Sequence, residues 1–453
     1  MKIRQYAPLL VACYSTALGA QTANMAKMVG TWSGPLVTDA LRASITLAVA
    51  IDGGKPSITT TIIARDRTIV DKADSVVMAG DSLRFGNNIA GSRAHFAAAL
   101  RDGVLEGTIT ALNGVEVAAS GVWRAKPVVR GAKPSVVGSM QRQVLDAVWV
   151  AIDERYGNFA CKRVDWNTVG KVFSGKVGTG TDDSTLFATV SAMLGTLNDN
   201  HVSVRTGDRV FRSGTYGASR AGEFSLDVVA KRYVRGVFTY EIDSSAHYGW
   251  LAGSVGYVHF ESFRGITATA DAMDSAIEYF KGAHGLVIDV RDNRGGSDLA
   301  ALQVLNRIAD KRRPYMSTRA RALSTHDSYL SPHHYSLDPS GVVTFPGPVI
   351  VLTNRRTISA AENLLLGIRT IPNAMIVGDI SAGAFSDVTR ETLPNGWVLA
   401  YPLNTATDAD GRCWEGLGVA PDIRAINEPA AVAGGKDSVL ELALAVLAAR
   451  SRP

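Results

Sequence analysis

Residues 348–362 read Pro-Val-Ile-Val-Leu-Thr-Asn-Arg-Arg-Thr-Ile-Ser-Ala-Ala-Glu: an apolar strand, a short polar loop, then Ser359 at the mouth of a helix. A serine held there can serve as a nucleophile. The helix start offers unpaired N–H groups and the positive end of a dipole, which favour an anion such as a tetrahedral oxyanion. The same four residues, Ser359-Ala360-Ala361-Glu362, also fit a capping box, in which the serine oxygen only satisfies backbone. A hydroxyl nucleophile needs a base. No lysine lies between Ser359 and Lys436, which argues against a downstream Ser/Lys dyad and turns attention to the eight histidines. His201 follows the turn Asn198-Asp199-Asn200 and heads the alternating run Val202-Ser203-Val204, so it can be aimed; a structural loop histidine would look the same. His259 alternates inside a strand, His284 flanks a helix end, and His326, His333 and His334 are expected to be solvated.

Two further loops could serve the same chemistry. A buried strand over Val287–Val290 runs into Arg291-Asp292-Asn293-Arg294-Gly295-Gly296. Adjacent glycines let backbone N–H groups approach a ligand, as one half of an oxyanion hole requires, or they form a turn. Trp414-Glu415-Gly416-Leu417-Gly418 sets an acid in a Gly-rich loop, where it can orient a histidine or be a plain turn residue.

The elements that must position these loops follow from periodicity. Short alternating runs broken by Gly, Asp and Asn over residues 25–125 predict a β-barrel-like domain, and Gly30-Thr31-Trp32-Ser33-Gly34 resembles the start of a lipocalin-like barrel. Lys126–Pro134 reads as a linker. Residues 138–205 read as a helical subdomain, with helices from Met140 through Arg155, from Asp165-Trp166, and over Thr185–Leu197. Residues 206–450 combine a β-rich segment up to about Val255 with an α/β core of alternating strands and helices. Residues 312–346 interrupt that core as an irregular insertion, and Ser438–Ala449 closes the chain as a helix.

The 453-residue chain carries a net charge of +5 and no dense Lys/Arg run with interleaved aromatics, which argues against nucleic-acid binding. Its start, Met-Lys-Ile-Arg-Gln-Tyr-Ala-Pro-Leu-Leu-Val-Ala-Cys, has a short basic beginning and an apolar stretch, the pattern of a signal peptide over residues 1–20. Leu10-Val11-Ala12-Cys13 also resembles a lipobox with a lipid anchor at Cys13. Either points to an exported chain, periplasmic or secreted. No later window is apolar enough for a transmembrane helix. Cys161 and Cys413 are free to pair in an exported chain, though spacing cannot say that they do. No residue cluster has zinc spacing, and Asp408-Ala409-Asp410-Gly411 reads as a hairpin turn rather than a calcium loop.

Taken in order, Leu194–His201, the strand and Gly-Gly loop at 286–296, Thr357–Glu362, Val377–Ala384 and Trp414–Asp422 resemble the tail-specific, C-terminal-processing serine peptidases. The nearer likeness is to the tricorn-type branch, whose fold also occurs in interphotoreceptor retinoid-binding protein. The resemblance covers roughly residues 138–450. It implies a crotonase-like α/β core, Ser359 as nucleophile, His201 as general base and Glu415 as the acid that orients it. The N–H groups of Ala360 and of Gly295 or Gly296 would form the oxyanion hole. Asn200 stands where that branch has a serine and takes a supporting role. Ala382, Gly383 and Ala384 fill the region where the lysine-using branch has its lysine. The stretch between His201 and Val255 is too short for a PDZ module. The implied activity is hydrolysis of peptides or unfolded proteins through an acyl-enzyme, with neither metal nor organic cofactor. The alternatives are a binding protein for peptides or small ligands on the same fold, and a non-peptidase hydrolase using the same residues.

Overall fold

A computed structural model describes residues 27–38, 42–52, 55–64, 67–89, 92–113, 116–128, 139–214, 222–321, 326, 329, 332–341 and 343–450. The leader, Cys13 and residues 129–138 of the expected linker lie outside the described residues. The chain divides into two compact units at Ser139 and Met140.

The first unit is one antiparallel sheet of nine strands. They are β1 (Gly30–Thr38), β2 (Arg42–Asp52), β3 (Lys55–Ala64), β4 (Arg67–Lys72), β5 (Ser75–Ala79), β6 (Ser82–Ile89), β7 (Ser92–Arg101), β8 (Val104–Asn113) and β9 (Glu116–Val128). Their hydrogen-bonded order is β4-β3-β2-β1-β9-β8-β7-β6-β5. Alternation sends Trp32, Ile45, Leu47, Leu105 and Trp123 into one core. There Phe85 and Phe96, directly opposite on β6 and β7, stack at 4.5 Å. The edges fold toward each other: the Ala73 N–H donates to the Ile58 carbonyl at 2.9 Å and the Asp74 N–H to Gly86 at 3.1 Å. β9 runs to Val128, so the first residues of the expected linker are strand instead.

The second unit begins with the helices Met140–Arg155, Trp166–Ser174 and Asp183–Gly195, packed around Val148, Ile152, Trp166 and Leu194. Asp165 and Asp182 cap the latter two by accepting the amides of Thr168 and Thr185. The strands that follow are β10 (Ser203–Arg205), β11 (Val210–Arg212), β12 (Arg235–Glu241), β13 (Ala246–Leu251), β14 (Val255–Phe260) and β15 (Gly285–Asp289). After these come β16 (Arg313–Ala320), β17 (His333–Leu337), β18 (Val349–Thr353), β19 (Ala374–Gly378), β20 (Val388–Thr392), β21 (Val398–Pro402), β22 (Asn404–Asp408) and β23 (Ile423–Arg424).

The main sheet has the order β12-β13-β14-β15-β18-β19-β23, parallel from β14 onward. Every residue of β15 and β18 is buried, as strands covered on both faces must be. Ile288, Val349 and Val351 face the helices Ile266–Tyr279, Asp298–Asn306 and Ala360–Ile368, while Val287, Ile350 and Leu352 face Ser438–Arg450. Register sets Asp289 beside Leu352 and Thr353 beside Gly378. The loops 290–296, 354–359 and 379–386 therefore leave adjacent strands at one carboxyl edge, where open α/β sheets bind ligands.

Two expectations need correction. The 202–255 stretch is not all strand: Ser225 accepts the Val228 amide and starts the helix Leu226–Arg232, which buries Val229. The 312–346 insertion is not irregular throughout, because β16 pairs with β17 and β22 in a three-stranded sheet. Among the described residues no helix is long and apolar enough to cross a membrane.

Cys161 and Cys413 are joined in a disulfide across a sequence separation of 252. Closing so long a loop restricts the unfolded chain, and a native disulfide typically contributes about 2–4 kcal/mol. Reduction, or Cys413→Ser, is expected to lower the denaturation midpoint of the second unit accordingly; an unchanged midpoint in urea titrations with and without reductant would refute this.

Candidate active site

Ser359 precedes the helix Ala360–Ile368 with φ 61° and ψ −126°. A serine that only caps a helix keeps an extended backbone and turns its oxygen onto first-turn amides. Ser359 and Glu362 face each other across a capping box, yet Ser359 has a positive φ and the Glu362 N–H makes its short bond, 2.7 Å, to the Ser359 carbonyl. Such a conformation costs about 1–3 kcal/mol and persists only where the surroundings over-determine it. Here the Ser359 N–H donates to the Ala384 carbonyl at 3.0 Å and to Glu362 Oε2 at 3.1 Å.

Glu362 is fully buried. Besides the Ser359 amide, it accepts the Ser381 hydroxyl at 2.6 Å, the Gly383 amide at 2.6 Å and the Ala384 amide at 2.7 Å. Burial pushes its carboxyl up to about 7, while these four donors pull toward the anion. One side chain thus ties the serine to the loop 381–384.

Gly295 presses on the serine: a methyl group there would sit 2.6 Å from Ser359 Cβ and 3.2 Å from its Oγ. A methyl on Gly296 would sit 2.0 Å from the Phe263 carbonyl oxygen. Both positions demand glycine, with φ of 73° and 140°. The Gly295 N–H is already committed, donating to Asn293 Oδ1 at 2.8 Å. The N–H groups of Gly296 and Ala360 have no acceptor among the described residues.

His201 and Glu415 reach the loop 381–386 by other bonds. Asn200 Nδ2 donates to the Ala382 carbonyl at 2.6 Å. Glu415 Oε2 accepts the Phe385 amide at 3.0 Å and the Ser386 hydroxyl at 3.2 Å. The Gly416 amide donates to the Gly383 carbonyl at 2.7 Å. His201 Nδ1 and Glu415 Oε1 are buried without a hydrogen-bond partner among the described residues. No hydrogen bond joins Ser359 to His201, or His201 to Glu415. Desolvation holds the imidazole below its ordinary pKa, against the pull of Asp199 and Asp387, and so favours the neutral ring. Burial, followed by the charge of Asp199, drives the Glu415 carboxyl well above the usual carboxylate range.

Other histidines have different fates. His259 is buried with Nδ1 3.0 Å from the Asp289 carbonyl. His326, expected in solvent, is half-buried, stacks on Phe159 at 4.1 Å and pairs with Asp153 at 2.8 Å. Sequence reasoning missed Asn158, Asp199 and Ser386, which lie in the same polar network. The available signal was an acid two residues before the candidate histidine. Among the described residues no cluster of His, Cys, Asp or Glu could hold a metal ion.

Residues 254–425 match the model of peptidase family S41. This segment is similar to that family, and the match covers less than half of the chain. The segment holds Ser359, both glycines and Glu415, whereas His201 precedes it. The C-terminal processing peptidase of Tetradesmus obliquus chloroplasts is 29% identical over 171 residues, covering 38% of this chain and 35% of the relative. The carboxy-terminal processing protease CtpA of Bacillus subtilis (strain 168) is 25% identical over 209 residues, covering 46% of this chain and 41% of the relative. These matches therefore span less than half of either relative. A crystal structure from Parabacteroides merdae ATCC 43184, described as a candidate peptidase, superposes with a TM-score of 0.61 at 27% identity. It covers 68% of this chain and 96% of that one.

The S41 segment makes Glu362 testable. Glu362→Gln leaves one acceptor oxygen for four donors, and each buried donor left unmet costs about 1–3 kcal/mol. The variant is expected to lose stability on that scale in urea titrations; parent-like stability would show that the four bonds do not matter.

Proposed function

We propose that this protein is a serine peptidase that cleaves peptides or unfolded proteins through an acyl-enzyme. Ser359 Oγ attacks the scissile carbonyl carbon while His201 takes its proton. The resulting oxyanion is received by the N–H groups of Ala360 and Gly296, since that of Gly295 is committed to Asn293. Collapse breaks the C–N bond, and the imidazolium returns the proton to the leaving amine. Water, deprotonated by the same histidine, then hydrolyses the ester. Glu415 orients the imidazole and Asn200 braces its loop. The core has a crotonase-like arrangement, with the helical subdomain ahead of it and a lipocalin-like β domain at the N-terminus. The leader-like start and the Cys161–Cys413 cross-link support an exported protein.

The observation that supports this reading most is the backbone of Ser359. A cap has no use for φ of 61°, whereas a nucleophile aimed off a strand-to-helix turn does. The similarity to family S41 supports the reaction class.

Ser359→Ala, shown to be folded, is expected to lower cleavage of denatured proteins about 10⁴- to 10⁶-fold. A serine-directed fluorophosphonate should label Ser359 in the parent and fail to label His201→Ala. Parent-like cleavage by Ser359→Ala would end the proposal, and an unlabelled, inactive parent would favour a binding protein on this fold. The pH profile carries a sign. His201 must be neutral to act and its pKa is lowered. The acid limb of kcat/KM is therefore expected below the ordinary histidine value of about 6.5, and a limb above that value would contradict the assignment.

A further inference from the structure

The turn that carries His201 is held by a carboxylate with no part in the chemistry above. Asp199 is fully buried. Its Oδ1 accepts the His201 amide at 2.8 Å. Its Oδ2 accepts the Tyr156 hydroxyl at 2.7 Å and Asn158 Nδ2 at 3.1 Å. No lysine or arginine pairs with it among the described residues. A buried carboxylate is costly unless its lone pairs are filled, and an apolar replacement is often no less stable. Stability is therefore a poor reason for a charge at this position.

The bonds continue past Asp199. Asn158, also fully buried, turns its Nδ2 to Asp199, and its Oδ1 accepts the Ser386 hydroxyl at 3.1 Å. That hydroxyl lies 3.2 Å from Glu415 Oε2. It has one proton, which it divides between Asn158 and Glu415. One line of side chains thus runs from the His201 amide to the Glu415 carboxyl. We infer that Asp199 is a positioning residue: it fixes the His201 main chain directly and the Glu415 carboxyl through Asn158 and Ser386.

The charge of Asp199 acts on both ends. At His201 it favours the imidazolium together with Asp387, and Arg390 opposes it. At Glu415 it disfavours the carboxylate together with Glu362, and Lys162 opposes it. The role presupposes Ser359 chemistry with His201 as base, so the parent protein is its control.

Asp199→Asn keeps the shape and removes the charge. Its oxygen still accepts the His201 amide, but its new NH2 faces that of Asn158. Asn158 is then expected to turn its amide round and donate to Ser386, whose proton passes to Glu415 alone. The full-length variant, with active sites counted by fluorophosphonate titration, should show kcat lowered by about 10- to 100-fold, the scale of a displaced catalytic group, at unchanged KM. Its acid limb should move to lower pH, because the charge supporting the imidazolium is gone. An unmoved limb, or kcat equal to the parent per titrated site, overturns the inference. Ser386→Ala leaves the Asp199 contact to His201 intact and should lower kcat with the limb in place. A parent-like kcat for Ser386→Ala overturns the Glu415 half, and this variant decides that half if Asp199→Asn does not fold. A parent without Ser359-dependent turnover fails the peptidase reading itself. A parent that turns over beside a parent-like Asp199→Asn fails only the positioning role.

Discussion

Four hydrogen bonds converge on the buried carboxyl of Glu362, and the geometry of the site follows from them. They come from two segments, the serine itself and the loop 381–384. Satisfying all four fixes the distance and orientation between those segments. The strained backbone of Ser359 is then a consequence of where its amide must point. The same loop receives Asn200 and Glu415, so the fragments that meet there share one reference point.

Beneath this lies the register of the parallel strands. β15, β18 and β19 end level with one another, so three polar loops start from one rigid edge. Behind them Arg291, 1% exposed, sits between Asp289 and Asp437, and Tyr257 donates to Asp289. The fully desolvated ion cluster locks the β15 end to the turn that precedes the final helix. Such a cluster contributes little net stability compared with an apolar core, but it permits few alternative arrangements.

The parts of this architecture written in local pattern were legible from sequence. β15 and β18 are unbroken apolar runs, and Ser359-Ala360-Ala361-Glu362 announces a helix start. The capping box is there, with Glu362 reaching back to the serine amide, and what the pattern does not convey is the positive φ of Ser359. What escaped depends on distant partners. Nothing in Asn198-Asp199-Asn200 tells a solvated turn from a buried carboxylate, since Tyr156 and Asn158 supply the burial. Leu226–Arg232 hid because its β-branched residues match strand propensity and only the Ser225 cap tips the balance. His326 looked like a solvent-facing loop residue until Asp153 and Phe159 came beside it.

The disulfide bears on the order of assembly. Its two ends are separated by 252 residues and flank almost everything that forms the main sheet. During synthesis the short helix Phe159–Lys162, which bears Cys161, emerges before β10, and the partner cysteine emerges only after every strand from β10 to β22. The cross-link therefore cannot close before Cys413 has emerged, and Glu415, two residues beyond it, is the last of the three proposed reactive side chains to arrive. A nascent chain carries the histidine and the serine before it carries the acid, so the site is complete only once synthesis has passed Glu415.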